Sequence, residues 1–127
     1  MASPDKLSII IQSADYERVH YALVMATSAL SIGKTVTLFF TMHGTQALKV
    51  NFPDVPDDKN YKENGIATFQ QLVQACTEMG AKYMVCELGL RSEKLSRQDL
   101  RKDITITEGS AASFLSDASE NGAILYI

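Results

Sequence analysis

The sequence predicts an α/β fold: a largely parallel, helix-covered sheet of about five strands. Three observations carry that prediction. Short apolar runs rich in β-branched residues alternate along the whole chain with segments whose apolar residues recur at helical spacing. Alternation of this kind joins strands through crossover helices, which makes the sheet parallel and covers it with helices. A chain of 127 residues that is 46% hydrophobic also has the size and apolar content of one domain with its own core, so residues 1–127 are read as a single domain.

Leu7 to Ile11 is a continuous β-branched run, suited to a strand buried on both faces. Gln12 to Asp15 supply N-cap candidates for a helix carrying Tyr16, Val19, His20, Leu23, Ala26 and Leu30, which Gly33 closes. Thr35 to Met42 is the second strand and ends at His43-Gly44. Gln46 to Lys49 begins a short helix. Val50 to Gly65 holds Pro53, Pro56 and many acidic and amide side chains without apolar periodicity, and reads as a solvated excursion.

After Thr68, the residues Phe69, Leu72, Val73, Cys76 and Met79 form one helical stripe closed by Gly80. Ala81 to Leu88 is the third strand. Arg91 to Lys102 is a charged stretch with room for one or two helical turns, and Ile104 to Ile106 is a short fourth strand. Ala111, Phe114, Leu115 and Ala118 mark the last helix, Gly122 ends it, and Ala123 to Ile127 is the final strand.

The charge balance, 12 basic against 15 acidic residues, gives no positive field to gather phosphate backbones or anionic lipid, so nucleic acid and membrane surfaces are not expected partners. The most apolar stretch, Tyr21 to Gly33, is broken by hydroxyl residues and is shorter than the roughly 18 to 20 apolar residues of a membrane span. The run near the N-terminus is too short for a secretory signal and lacks its cleavage pattern. A cytoplasmic location is therefore expected, with both cysteines as free thiols.

Several chemistries lack their signatures. No Gly-x-Gly-x-x-Gly or Walker-type loop is present, and Cys76 and Cys86 are not a Cys-x-x-Cys pair. His20 and His43 have no metal-ligand spacing, so no cofactor and no metal are expected. Open parallel sheets bind ligands outside the carboxyl ends of their strands. That rule directs attention to the turns at Gln12-Ser13, Thr41 to Gly44, Cys86 to Gly89 and Thr107 to Gly109.

Cys76 lies on an apolar helical stripe and reads as a small core residue. Cys86 closes the third strand at the edge where a crevice would open, and two readings stand: interior packing, or a thiol activated by a following helix and by Arg91 and Lys94. His43 is either an ordinary turn residue or one that orients a ligand or assists the thiolate. His20 reads as a satisfied core or subunit-interface residue. Gly109-Ser110, at a helix start, either serves close packing or presents N–H groups to an anion.

Three stretches carry a resemblance: Ala22 to Ala26 with Ser31 to Thr41, Gly44 and Ala47-Leu48; Met79 to Lys82 leading to Cys86-Glu87-Leu88; and Gly109 to Leu115. In order and spacing they resemble the DsrE/DsrF-like family, and within it the small stand-alone members described as sulfurtransferases. The chain departs from that branch at Leu88 and Gly89, where a methionine and a hydroxyl residue often follow the cysteine. The resemblance implies a three-layer α/β/α fold with a mostly parallel sheet, and homo-oligomers, commonly trimers or hexamers. It also implies a cysteine, here Cys86, that carries a persulfide between donor and acceptor proteins. The alternative is an oligomeric binding module that holds a small anionic or nucleotide-like ligand between Thr41, His43 and Gly44 on one side and Gly109 and Ser110 on the other.

Overall fold

The computed structural model describes residues 5–53, 55–118 and 122–127. Among them, β1 (Lys6–Ile11), β2 (Thr35–Phe40), β3 (Lys82–Cys86), β4 (Ile106–Gly109) and β5 (Gly122–Tyr126) form one sheet in the order β4-β3-β2-β1-β5. Every neighbouring pair is parallel. The helices are α1 (Tyr16–Ser31), α2 (Val55–Glu63), α3 (Phe69–Glu78), α4 (Glu87–Ser92) and α5 (Ala111–Asp117), with 3-10 segments at Met42–Leu48 and Arg97–Asp99.

The two-residue period of a strand divides the sheet's side chains between two layers of unequal size. Ile9, Ile11, Leu38, Phe40, Tyr83 and Val85 face α1 and α3, where Val19, Leu23, Ala26, Phe69, Leu72, Val73 and Cys76 complete the larger core. The alternate residues Phe39, Met84 and Cys86 face the other way and form a smaller core with Phe114 and Ala118 from α5 and its end, with Ile10 packed against it. The chain is thus a three-layer α/β/α fold, as expected.

Local chemistry sets the helix ends. The Asp15 carboxylate accepts the Arg18 N–H at 3.2 Å and caps α1. Thr68 and Gln71 close a capping box on α3. The turns after α1 and α3 pass through Gly33 (φ 88°) and Gly80 (φ 89°), a region that L side chains enter only with strain.

Four expectations are corrected. The stretch from Val50 to Gly65 is not an irregular excursion, since α2 forms within it. Its anchors are polar and aromatic, which a search for apolar periodicity misses. Asp58 accepts the Phe69 N–H at 2.7 Å and the Tyr16 hydroxyl, while the Tyr61 ring packs edge-on to Tyr16 and His20 at 5.2 and 4.6 Å. The third strand stops at Cys86, and Glu87 onward is already α4. The fourth strand is Ile106–Gly109, not Ile104 to Ile106, because the register pairs Tyr83 to Cys86 with those residues. Gly122 opens β5 and does not end the preceding helix.

Candidate functional site

The connections after β1 and β2 run through α1 and α3 on the larger-core face. After β3, α4 packs on the Met42–Leu48 segment and sends Leu90 into that same core. The connection after β4 instead leaves for the opposite face as α5. The chain therefore diverges between β3 and β4, and a parallel sheet opens its binding crevice at such a switch point. Cys86 and Gly109 are register partners there, and because Phe40 pairs with Val85, Thr41 is the next position across.

Cys86 ends β3 and occupies the N-cap position of α4. It is only 5% exposed. Its side chain belongs to the smaller core, among Phe39, Met84, Phe114 and Ala118, so the thiol lies under α5 and is not presented to the crevice mouth. The Phe39 and Phe114 rings stack beside it with centroids 4.7 Å apart.

The other expected site residues divide into groups. Thr41 and Gly44 are held against β1: the Thr41 N–H donates to the Ile11 carbonyl at 3.0 Å, and the Gly44 N–H donates to the Thr41 carbonyl at 2.9 Å. A Cβ on Gly44 would fall 2.1 Å from the Ile11 carbonyl oxygen, so only glycine fits. Met42, between them, holds a positive φ of 48°, a strained conformation in the turn after β2.

His43 points outward and is largely exposed. Its Nδ1–H donates to Glu93 Oε1 at 2.7 Å, and the Gln46 amide donates to the same oxygen at 3.0 Å. The bonds from Gln46 and then His43 hold the Glu93 carboxyl below its ordinary range. His43 is thus partnered with α4's trailing residue, while the Cys86 thiol lies in the core under α5.

Gly109 lies against the second face, where a Cβ would meet Met84 Sδ at 2.6 Å and Ser113 Oγ at 2.8 Å. Ser110 caps α5: its Oγ accepts the Ser113 N–H at 3.1 Å, and its own N–H donates to Ser113 Oγ at 2.7 Å. These groups satisfy one another.

Outside the two strand ends runs an open crevice of about 420 Å³, lined by Glu87, Leu90, Arg91, Leu95, Ser96, Arg97 and Glu108. Arg97 is fixed by donating to the Ile106 carbonyl at 2.7 Å. Among the described residues, no group of three or more His, Cys, Asp or Glu is placed to hold a metal ion, and no helix is long and apolar enough to cross a membrane.

Asp117, at the end of α5, had no signal in sequence. Its carboxylate accepts from Lys6 at 2.7 Å, Thr37 at 2.7 Å and Lys82 at 2.8 Å, joining α5 to β1, β2 and β3 at once. Burial alone would raise its pKa, but these three bonds prevail and hold the carboxyl far below the ordinary range. No local pattern could have found it, because its partners lie far away in the chain. Elsewhere, His20 is a satisfied core residue as expected, its Nε2–H donating to the Ala67 carbonyl at 2.7 Å.

The model of the DsrE/DsrF-like family matches residues 5–125. The chain belongs to the DsrE/DsrF-like family. Membership associates it with sulfur-relay function, and the matched span includes β3, Cys86 and α5. Among curated proteins it is similar to the uncharacterized protein YrkE of Bacillus subtilis (strain 168), 24% identical over 156 residues that cover 96% of each chain. Among solved structures it is similar to a protein of unknown function, MTH1491 from Methanobacterium thermoautotrophicum. The TM-score is 0.70 and the identity 14%, over 96% of this chain and 98% of that one, a likeness of fold.

Proposed function

We propose that this DsrE/DsrF-like protein is a sulfur carrier of the cytoplasm, with Cys86 as the residue that holds the transferred sulfur. The observation that carries the reading is the position of Cys86 at the switch point between β3 and β4, next to the crevice, in a chain matched almost end to end by the family model. The reaction is a pair of thiol exchanges. The Cys86 thiolate attacks the outer sulfur of a donor persulfide, forming the Cys86 persulfide and releasing the donor thiolate, which takes up the proton that Cys86 lost. An acceptor thiolate then attacks the outer sulfur and frees Cys86. No electrons are gained or lost overall, so the carrier needs no cofactor for the exchange.

The partners in this reading are a donor and an acceptor protein, and the carrier works as a homo-oligomer. Leu115, Ile124 and Tyr126 supply exposed apolar surface around α5 and β5 for such contacts. The alternative, a module holding an anion between Thr41 to Gly44 and Gly109 to Ser113, has less support. Gly44 is filled by its contact with β1, and the Ser110 and Ser113 hydroxyls bond to the cap of α5.

Intact mass after incubation with a persulfide donor tests the carrier. Wild type should gain one sulfur that a reductant removes, Cys76→Ser should gain it too, and Cys86→Ser should not. An adduct that survives Cys86→Ser, or none in wild type, sinks the mechanism.

A further inference from the structure

We propose that α5 is a gate over the Cys86 thiol and that Asp117 is its latch, an inference that rests on reading Cys86 as the sulfur carrier. Exchange requires the Cys86 sulfur and the partner's sulfur to lie in line on either side of the sulfur that is transferred, so a partner must reach the Cys86 thiol. That approach is closed in this structure, because Phe39, Met84, Phe114 and Ala118 surround the side chain and leave it 5% exposed. The walls differ in how firmly they are held. Phe39 and Met84 belong to central strands paired on both sides. Phe114 and Ala118 belong to a helix of seven residues and its cap.

A helix of that length has little stability of its own and depends on tertiary contacts. In α5 those contacts are few: Ala111, Ala112, Ser113, Leu115 and Ser116 all face outward, and only Phe114 and then Ala118 enter the core. Elements with few buried apolar contacts open most readily. What secures the far end is polar. The Asp117 carboxylate takes hydrogen bonds from Lys6, Thr37 and Lys82, and its backbone carbonyl takes a further bond from Lys6 at 2.9 Å. The near end is fixed through Ser110, which continues directly from β4 beside Cys86. Release of Asp117 therefore removes the polar hold on the end of α5 away from Ser110, and the movement that lifts Phe114 uncovers the thiol.

The two cysteines give the test an internal control. Cys76 is fully buried in the other core, between α3 and α1, where its thiol lies 3.9 Å from the Leu23 carbonyl. The folded protein is treated with the neutral disulfide 4,4′-dithiodipyridine, quenched at intervals, and mapped by peptide mass to give a rate for each cysteine. Asp117→Asn should speed labelling of Cys86 by about tenfold or more, the effect of losing charge-assisted hydrogen bonds, with Cys76 unchanged. Thr37→Val, which leaves both lysines on Asp117, should give a smaller increase in the same direction.

Three results would overturn the gate: no change in either variant, equal acceleration of both cysteines, or wild-type Cys86 reacting as fast as in denaturant. The labelling needs no sulfur donor, so it fails separately from the carrier reading. A Cys86 that becomes faster to label yet never takes up sulfur would support the gate and end the carrier mechanism.

Discussion

The two faces of the sheet carry one cysteine each, and both thiols are buried, yet the burial has different origins. Cys76 sits under α1 and α3, helices of 16 and 10 residues whose apolar stripes interlock with alternate residues of the central strands. Cys86 sits under seven residues of α5, which contribute one aromatic ring and a carboxylate latch. The thicker layer is what holds the fold together, since buried apolar area is the main favourable term. The thinner one covers the residue at the switch point. Burial is nearly the same for both thiols; under the proposed gate, the stability of the covering layer is what sets them apart.

The comparison can be broken most directly in the thicker layer. Leu23, almost fully buried, should cost about 2 to 5 kcal/mol on replacement by Ala, the usual range for a large-to-small change in a core. Urea denaturation reads this directly, and a loss below about 1 kcal/mol would show that the first face is not the main stabilising layer.

The latch should show a smaller effect with a definite pH dependence. At neutral pH, Asp117→Asn is expected to lower stability by about 1 to 3 kcal/mol, the range for hydrogen bonds to a charged group. The sign follows from the carboxyl's depressed pKa, set by Lys6, Lys82 and Thr37 against the opposing effect of burial. Its stabilisation is complete above the unfolded Asp value of about 3.9 and is lost as pH falls below that toward the lower folded value. The difference between wild type and Asp117→Asn should therefore shrink in acid. A difference that stays constant down to pH 2 would contradict the ion-paired latch.

The alkaline side belongs to the other face. Burial pushes the Cys76 thiol up to about 12 and, with Thr77 opposing, the Tyr83 hydroxyl to about 12. Both groups stay protonated in the fold after their unfolded counterparts ionise, so they draw the equilibrium toward the unfolded chain as pH rises. At pH 10, Cys76→Ala should recover about 1 to 2 kcal/mol of the stability that wild type loses relative to pH 8. Parallel losses in the two proteins would remove Cys76 as the cause.

The smallest effect is expected at the surface. Glu93→Gln leaves His43 without its anionic partner, yet the His43 side of the pair is open to solvent, and pairs screened in this way contribute little. Denaturation curves of the variant and wild type should coincide. A clear shift would mean that the 3-10 segment after β2 depends on this pair for its position against α4.

Particular residues show how much of this was legible in advance. The strand runs Leu7 to Ile11 and Thr35 to Met42, the stripe Phe69, Leu72, Val73 and Cys76, and the closing glycines Gly33 and Gly80 are local patterns, and each marks an element that forms, although the second strand stops at Phe40 and Met42 already opens the 3-10 segment. The order of strands and helices followed from them, so Cys86 was visible near the carboxyl edge, although the third strand ends at Cys86 and not at Leu88. The helix α2 was not, because it is held by Asp58 and Tyr61 through groups on α1 and at the start of α3.

By itself, the sequence determined the α/β class, the alternation of strands and helices, and the cysteine at the edge of the sheet, because these depend on periodicity and capping within a few residues. Only the tertiary structure decided the strand order, which face each cysteine occupies and the latch at Asp117, because these depend on meetings between residues remote in the chain. Thr37 and Asp117 are 80 positions apart, and no local pattern records that they touch.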